Sequence, residues 1–285
     1  MKHFLIYTNQ YKDKELIITE RVRSYLEAKG QKVTMKIKDA DWKEEPLQEA
    51  EDIPYDADCL IVLGGDGTVL EAAREVKKLS IPIIGVNLGN MGYMAEIEPA
   101  NLEEALDRLI AEDYQKESRM MLRGQVIHSD GSAEEGWALN DIVISRSGSL
   151  QIIKYSIYVN GQFLHEYAAD GMIVTTPTGS TGYNLSAGGP LIEPKARLIM
   201  LTPICPHTLN QRSIILSPED EVEIEIPVGR EGRLQTVEVN FDGSHKVALR
   251  AGDRICIAKS DKTTEFVKLN QVSFLEILHK KMREF

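Results

Sequence analysis

The stretch DCLIVLGGDGTVLEAAREV, residues 58–76, sets the tightest constraint on the fold. An unbroken apolar run, 58–64, stops at Gly64-Gly65 and gives way at once to a helical pattern. A strand apolar on both faces must be covered on both, which is the situation of a central parallel strand between helices. The spacing predicts a helix from about Thr68 to Leu79. Such a strand–turn–helix unit puts its turn at the C-terminal edge of the sheet, where open α/β folds bind ligands.

The neighbouring segments repeat the rhythm. HFLIYTN (3–9), QKVTMKI (31–37) and IPIIGVN (81–87) read as strands. Residues 13–30 read as an amphipathic helix, with Leu16, Ile17, Val22 and Leu26 on one stripe and Gly30 as its stop; 101–114 read as another. Strands alternating with helices imply βαβ units and a Rossmann-like parallel sheet. After about residue 118 the pattern becomes short β-rich runs between Gly, Pro, Asn, Asp and Ser, and VNGQ (159–162) carries an Asn-Gly hairpin signal. That predicts an all-β sandwich. The end, QVSFLEILHKKMREF, is helical again and is expected to pack back on the first domain, with Lys280, Lys281 and Arg283 suited to a helix C-terminus. The expected domains are therefore an α/β domain over 1–118, to which 265–285 returns, and a β-sandwich domain over 119–264.

Charge narrows the partners. The 285 residues hold 44 acidic against 33 basic side chains, for a net charge of −11. Non-specific nucleic-acid binding rests on Lys and Arg against phosphate, so no nucleic-acid partner is expected. A pocket can still gather donors for a small anion. No apolar run approaches the about 20 residues of a membrane helix, so no membrane partner is expected either. Cys59, Cys205 and Cys256 are far apart and odd in number, and no C-x-x-C pair occurs. That argues against disulfides and a structural zinc, and for a cytoplasmic setting.

The acid in the glycine turn carries the chemistry. Glycines let a phosphate approach the backbone, and a helix N-terminus aims free N–H groups at it. Yet the turn has no Lys of the G-x-x-x-x-G-K-[ST] type. A bare Asp66 beside phosphates is repelled unless a cation bridges them or the acid takes a proton. It can hold Mg²⁺, orient and deprotonate an attacking hydroxyl, or simply cap the helix. A second constellation, DGMIVTTPTGSTGYNLSAGGP (170–190), packs Thr176, Thr178, Ser180, Thr181, Tyr183 and Ser186 among glycines. A ligand with ribose and amide edges would use such groups. ALNDIVIS (138–145) sets Asn140 and Asp141 before a strand, where the pair can meet a ribose diol or a purine, or serve only as turn residues.

Together, GGDGT (64–68), ND (140–141) and TPTGSTGYNLSAGGP (176–190) resemble the NAD kinase family, as do GVNLGNMGYMAEI (85–97) and LTPICPHTLNQRSIIL (201–216). The likeness runs in order through most of residues 58–250. It implies an α/β domain, a C-terminal β-sandwich domain and an active site in the cleft between them. It implies phosphorylation of the 2′-hydroxyl of NAD's adenosine ribose, with ATP and Mg²⁺ or another divalent cation, to give NADP. Asp66 would be the catalytic general base, with Gly67 beside it at the substrate. Gly64, Gly65, Gly67 and Thr68 would face the donor phosphates. NAD would be bound by Asp66, Gly67, Tyr93, Asn140, Asp141, Asp170, Thr178 and the run Thr181, Gly182, Tyr183, Asn184, Leu185 and Ser186. In that role Asn140 and Asp141 would hold the nicotinamide-side ribose or the adenine end. Thr178 could reach the adenine and Tyr183 pack on a ring face. The family is a homodimer or homotetramer, and its counterpart of Asp170 can reach a neighbouring subunit's site.

Three positions depart from the family's pattern. Asp141 stands where Glu is usual, Gly182 replaces an Ala, and Ala168 takes a position often basic, so that a direct charge contact to the new phosphate is missing there unless Lys154 substitutes. Two competing functions follow from the sequence. A lipid kinase shares the acid turn but wants an apolar cavity, against which the hydroxyl-rich loop argues. A nucleotide sensor would bind NAD without turnover.

Overall fold

A computed structural model of the chain describes residues 1–38, 54, 56–76, 81–89, 92–148, 151–208, 212–228, 235–270 and 272–283. The chain divides into two compact units, Met1–Ser118 with Thr264–Phe285, and Arg119–Thr263.

The first unit contains β1 (His3–Asn9), α1 (Ile17–Ala28), β2 (Lys32–Lys38), β3 (Cys59–Gly64), α2 (Asp66–Glu75), β4 (Ile83–Asn87), β5 (Ala95–Ile97) and α3 (Leu102–Ile110). Its strands lie in the order β2-β1-β3-β4, all parallel, with β5 parallel beside β4. β3 is buried along its whole length, as its unbroken apolar run requires. Phe4, Ile6, Ile61 and Leu63 share one core with Val22 and Leu26 of α1 and with Leu102, Leu106 and Leu109 of α3.

Two helix starts differ from the expectation. The stretch 13–30 is not one helix: Glu15 and Leu16 have φ of 58° and 57°, and α1 begins only at Ile17. The cause is Asp13, whose buried carboxylate accepts from the amides of Ile18 and Thr19 at 3.1 and 2.7 Å and from the Thr19 hydroxyl at 2.6 Å. Its pull turns the chain before the helix, so Ile17 is exposed and Thr19, Val22 and Leu26 form the buried stripe. α2 starts at Asp66 rather than Thr68. Its expected end at Leu79 lies outside the described residues.

The second unit is a β-sandwich. It is built from β6 (Gln115–Ile127), β7 (Ala133–Ala138), β8 (Asp141–Arg146), β9 (Ile153–Val159), β10 (Gln162–Ala169), β11 (Gly171–Thr175), the one-turn helix α4 (Tyr183–Ser186), β12 (Ile199–Ile204), β13 (Ile214–Leu216), β14 (Val222–Glu225), β15 (Val237–Phe241), β16 (His245–Leu249) and the start of β17 (Arg254–Lys268). One sheet runs β13-β12-β11-β8-β15-β16, with its strand pairs antiparallel. The other pairs β10, β9, β14 and β17, also antiparallel. Inward residues of both meet in one core: Tyr155, Ile157, Ile224 and Ile255 from the second, Ile142, Met172, Val174 and Phe241 from the first. β9 and β10 are joined at Asn160-Gly161, with φ of 51° and 74°, the left-handed pair that a tight hairpin needs.

The chain then returns to the first unit, where Phe266 of β17 lies parallel to Ile83 of β4. α5 (Phe274–Arg283) follows, with Lys280, Lys281 and Arg283 in its last turn. The Phe274 ring sits 5.8 Å from that of Tyr93, and Lys281 Nζ lies 4.9 Å from the same ring's centre. Among the described residues, no helix is long and apolar enough to cross a membrane.

Candidate active site

In the first unit the GGDGT turn is built by exclusion. A Cβ on Gly64 would stand 2.3 Å from Thr68 Oγ1, so only glycine lets α2 fold back tightly on β3. A Cβ on Gly65 or Gly67 would meet nothing within 4 Å, so these two leave room for a ligand. Gly65 caps α2 with no side-chain hydrogen bond, and Asp66 and Gly67 are its first two residues. The first amides of a helix lack partners within it and favour anions.

Asp66 does not cap its helix. Its carboxylate turns aside and is held by the loop after β4. Tyr93 N donates to Oδ2 at 2.7 Å and Met94 N to Oδ1 at 3.0 Å. Gly92 makes room for this: a Cβ there would fall 2.0 Å from Oδ1 and 2.6 Å from Cγ. Two amides thus fix the orientation of a half-buried carboxylate that still keeps lone pairs for a ligand. Burial, and then the Asp66 charge, raise the Tyr93 hydroxyl above its ordinary value. Gly64, Gly65, Asp66, Gly67, Thr68 and Tyr93 therefore form one local set.

In the second unit the hydroxyl-rich loop is largely tied to itself. Thr176 Oγ1 donates to Leu139 O at 2.6 Å, and Ser180 Oγ to Pro177 O at 2.7 Å. Asn184 is fully buried: Nδ2 donates to the carbonyls of Ser180 and Pro190, each at 3.2 Å, and Oδ1 accepts from Thr202 at 2.7 Å. Thr178 is buried and accepts from Arg119 Nη1 at 3.3 Å, while Thr181 Oγ1 donates to Thr178 O at 3.4 Å. These contacts give the loop a rigid shape. Tyr183, Leu185 and Ser186 stand exposed on its surface.

Asn140 and Asp141 lie at the entry to β8, against this loop. A Cβ on Gly179 would fall 2.4 Å from Asn140 O, and one on Gly182 would fall 3.4 Å from Asn140 Nδ2. Asn140 Oδ1 is buried without a hydrogen-bond partner among the described residues. Asp141 is buried, and desolvation first, then the nearby Asp242 charge, pushes its carboxyl up to about 7. A protonated acid there is a donor as well as an acceptor. Asp170 Oδ1 accepts from Arg146 Nε at 3.0 Å. The Tyr183 hydroxyl is raised by burial and then by the charges of Cys205, Asp141 and Asp170. Cys205 itself is exposed, Cys59 is buried, and burial pushes the Cys59 and Cys256 thiols up to about 12 and about 11.

Three contributors escape sequence reasoning. Gly92 and Arg119 carry no local signal. Asp242 does carry one, the Asp-Gly pair of NFDGS, but it reads as a hairpin only.

Comparison with known proteins agrees along the whole chain. A model of the ATP-NAD kinase N-terminal domain matches residues 4–114, and one of the ATP-NAD kinase C-terminal domain matches 139–269. The chain is 47% identical over 285 residues to an NAD kinase of Agathobacter rectalis, covering 100% of both. It is 44% identical over 293 residues to one of Lachnospira eligens, covering 99% of this chain and 100% of that one. Among solved structures it is similar to yeast NADH kinase complexed with NADH, at 23% identity and TM-score 0.88, covering 99% of this chain and 88% of that one. It is also similar to an NAD kinase from Archaeoglobus fulgidus in complex with ATP, at 26% identity, TM-score 0.74 and full coverage of both. A glycine turn presenting a fixed carboxylate, a β-sandwich with a stiff hydroxyl-rich loop, and relatives matched end to end all agree: the chain belongs to the NAD kinase family.

Proposed function

We propose that this chain transfers the terminal phosphoryl group of magnesium–ATP to the 2′-hydroxyl of the adenosine ribose of NAD, giving NADP and ADP. The observation that carries this reading is the Asp66 carboxylate, turned away from its own helix and fixed by the amides of Tyr93 and Met94. A general base has to be held in place and still have a lone pair to offer, and this one is and does. As the ribose oxygen bonds to phosphorus and the bond to ADP breaks, Asp66 takes the hydroxyl's proton. The donor phosphates face Gly64, Gly65, Gly67 and Thr68, where the open N-terminus of α2 favours negative charge. The magnesium ion arrives with ATP and neutralises its phosphates.

The dinucleotide is assigned to Asp66, Gly67 and Tyr93 in the first unit. In the second it is assigned to Asn140, Asp141, Asp170, Thr178 and residues 181–186. Asn140 offers its unpartnered Oδ1, and Tyr183 offers an exposed ring. Asn184, its side chain spent within the loop, acts by shaping it. The solved relatives with NADH and with ATP support these substrate classes. The assembly carried over from the family resemblance is a homodimer or homotetramer.

The test is NADP formation from NAD and magnesium–ATP by the purified protein, with the product's 2′-phosphate identified. Asp66→Asn is expected to keep NAD affinity within a few-fold and to lose about 10²–10⁴ in kcat, the usual worth of general-base help. Full turnover in that variant would remove the base assignment.

A further inference from the structure

Asn140 and Asp141 do not hold themselves in place. The amides of Leu139, Asn140 and Asp141 all point into one carboxylate, that of Asp242. Leu139 N donates to Oδ2 at 2.7 Å, and Asn140 N and Asp141 N donate to Oδ1 at 2.9 and 3.1 Å. The Asp242 amide answers with a bond to Asp141 O at 3.0 Å. The carbonyls of the same segment are taken from elsewhere: Thr176 Oγ1 donates to Leu139 O, while Thr175 Oγ1 and Thr176 N both donate to Asn140 O at 2.9 Å. Successive amides converging on one point form an anion site, and here the protein fills it with its own side chain. With the backbone of 139–141 held on both edges, the points from which the Asn140 and Asp141 side chains leave the chain are fixed.

We propose that Asp242 is a positioning residue for dinucleotide recognition: its carboxylate sets the 139–141 turn so that Asn140 and Asp141 are presented to NAD. The inference rests on the kinase reading above and deepens it. Asp242 is not explained by its hairpin alone. It and Gly243 have φ of 48° and 73° between β15 and β16, a turn that Asn-Gly makes equally well. What Asn cannot do is accept three N–H donors, since it has one acceptor oxygen and an NH₂ that opposes them.

Asp242→Asn therefore keeps the turn and opens the clamp. Titration calorimetry with NAD alone is expected to show Kd raised about tenfold or more, as hydrogen bonds to a charged acceptor are lost. The KM for ATP and kcat at saturating NAD should stay within about threefold, because the general base is untouched. Amide exchange at residues 139–141 should quicken. Gly243→Ala is the control: it strains the same left-handed turn without altering the carboxylate, and should leave NAD affinity at the parent value. Parent-like NAD affinity or parent-like amide exchange in Asp242→Asn would overturn the proposal. So would Gly243→Ala weakening NAD as much, which would make hairpin stability the cause. Failure of the kinase reading shows separately, as a parent protein that binds NAD but makes no NADP. A parent that does not bind NAD at all removes both.

Discussion

Gly92 offers a way to move the Asp66 carboxylate without changing its chemistry. In Gly92→Ala the added methyl would lie 2.0 Å from Asp66 Oδ1, 2.6 Å from Cγ and 2.8 Å from Oδ2. Non-bonded heavy atoms settle near 3.5–4.0 Å, so the carboxylate must withdraw by about 1.5 Å. Its bonds from Tyr93 N and Met94 N, at 2.7 and 3.0 Å, do not survive that shift. Hydrogen bonds to charged groups are each worth about 1.5–3 kcal/mol, so the two set a ceiling of about 3–6 kcal/mol on the loss of stability. Water can reach this half-buried site and recover part, which leaves about 1–3 kcal/mol expected. The rate should suffer more. A misplacement of about 1 Å at a reacting centre costs about 10²-fold, and complete loss of a base costs up to about 10⁴-fold. The assay is NADP formation at saturating NAD and ATP, read with an NADP-specific dehydrogenase, beside a thermal melt to confirm folding. The decisive comparison is a double-mutant cycle: Gly92→Ala should add little to the loss already present in Asp66→Asn. If it lowers kcat by the same factor in both backgrounds, its effect does not run through Asp66 and the reasoning fails.

Two further predictions concern the second unit. Asp141 has its folded value raised from an ordinary 3.8 to about 7, by burial first and the Asp242 charge second. The folded state then binds the proton more tightly than the unfolded one, so stability is fully present below about pH 4 and falls as pH rises through about 7, by an order of magnitude of 4 kcal/mol for full ionisation. Asp141→Asn should flatten that slope in urea unfolding curves between pH 5 and pH 8; an unchanged slope would refute the assignment. Gly182→Ala, which restores the family's usual residue, puts a methyl 3.3 Å from Gly179 O and 3.4 Å from Asn140 Nδ2, at a φ of −96°. The tight contacts, and a ψ of −131° that lies outside the regions open to residues with a Cβ, outweigh the roughly 0.4–1 kcal/mol that Gly→Ala can gain through the unfolded state, so the melting temperature should fall by a few degrees; an unchanged or raised value would refute this. A drop of many degrees would mean the loop cannot yield at Asn140.

Where apolar periodicity was strong, the chain could be read directly. Residues 3–9 form a strand around the buried apolar run Phe4, Leu5, Ile6 and Tyr7, and Asn160-Gly161 can only be a tight turn. Reading failed where one polar side chain overrode the pattern. Leu16 and Ile17 fit a helical stripe, but Asp13 gathers the amides of Ile18 and Thr19 and delays the helix. β7 leaves little trace in the sequence because AEEGWA carries two adjacent glutamates and a glycine, and β12 because Pro203 interrupts its apolar run. Pro203 lies opposite Met172 of β11, beyond residues 199–201, which pair with β13. The glycine turn and the hydroxyl-rich loop were both visible as candidates. Composition could not tell a hydroxyl facing a ligand from one, like that of Thr176 or Ser180, spent on a nearby carbonyl. Nor could it connect Asp242 to amides 101–103 positions earlier.

The uneven standing of the three thiols has a practical use. Only Cys205 is exposed, and it lies within electrostatic reach of Tyr183 on the stiff loop. A maleimide fluorophore at neutral pH would thus settle on one position of the chain, whose charge is felt by the Tyr183 ring assigned to the dinucleotide. Its emission would follow ligand arrival in real time, with no engineered cysteine required.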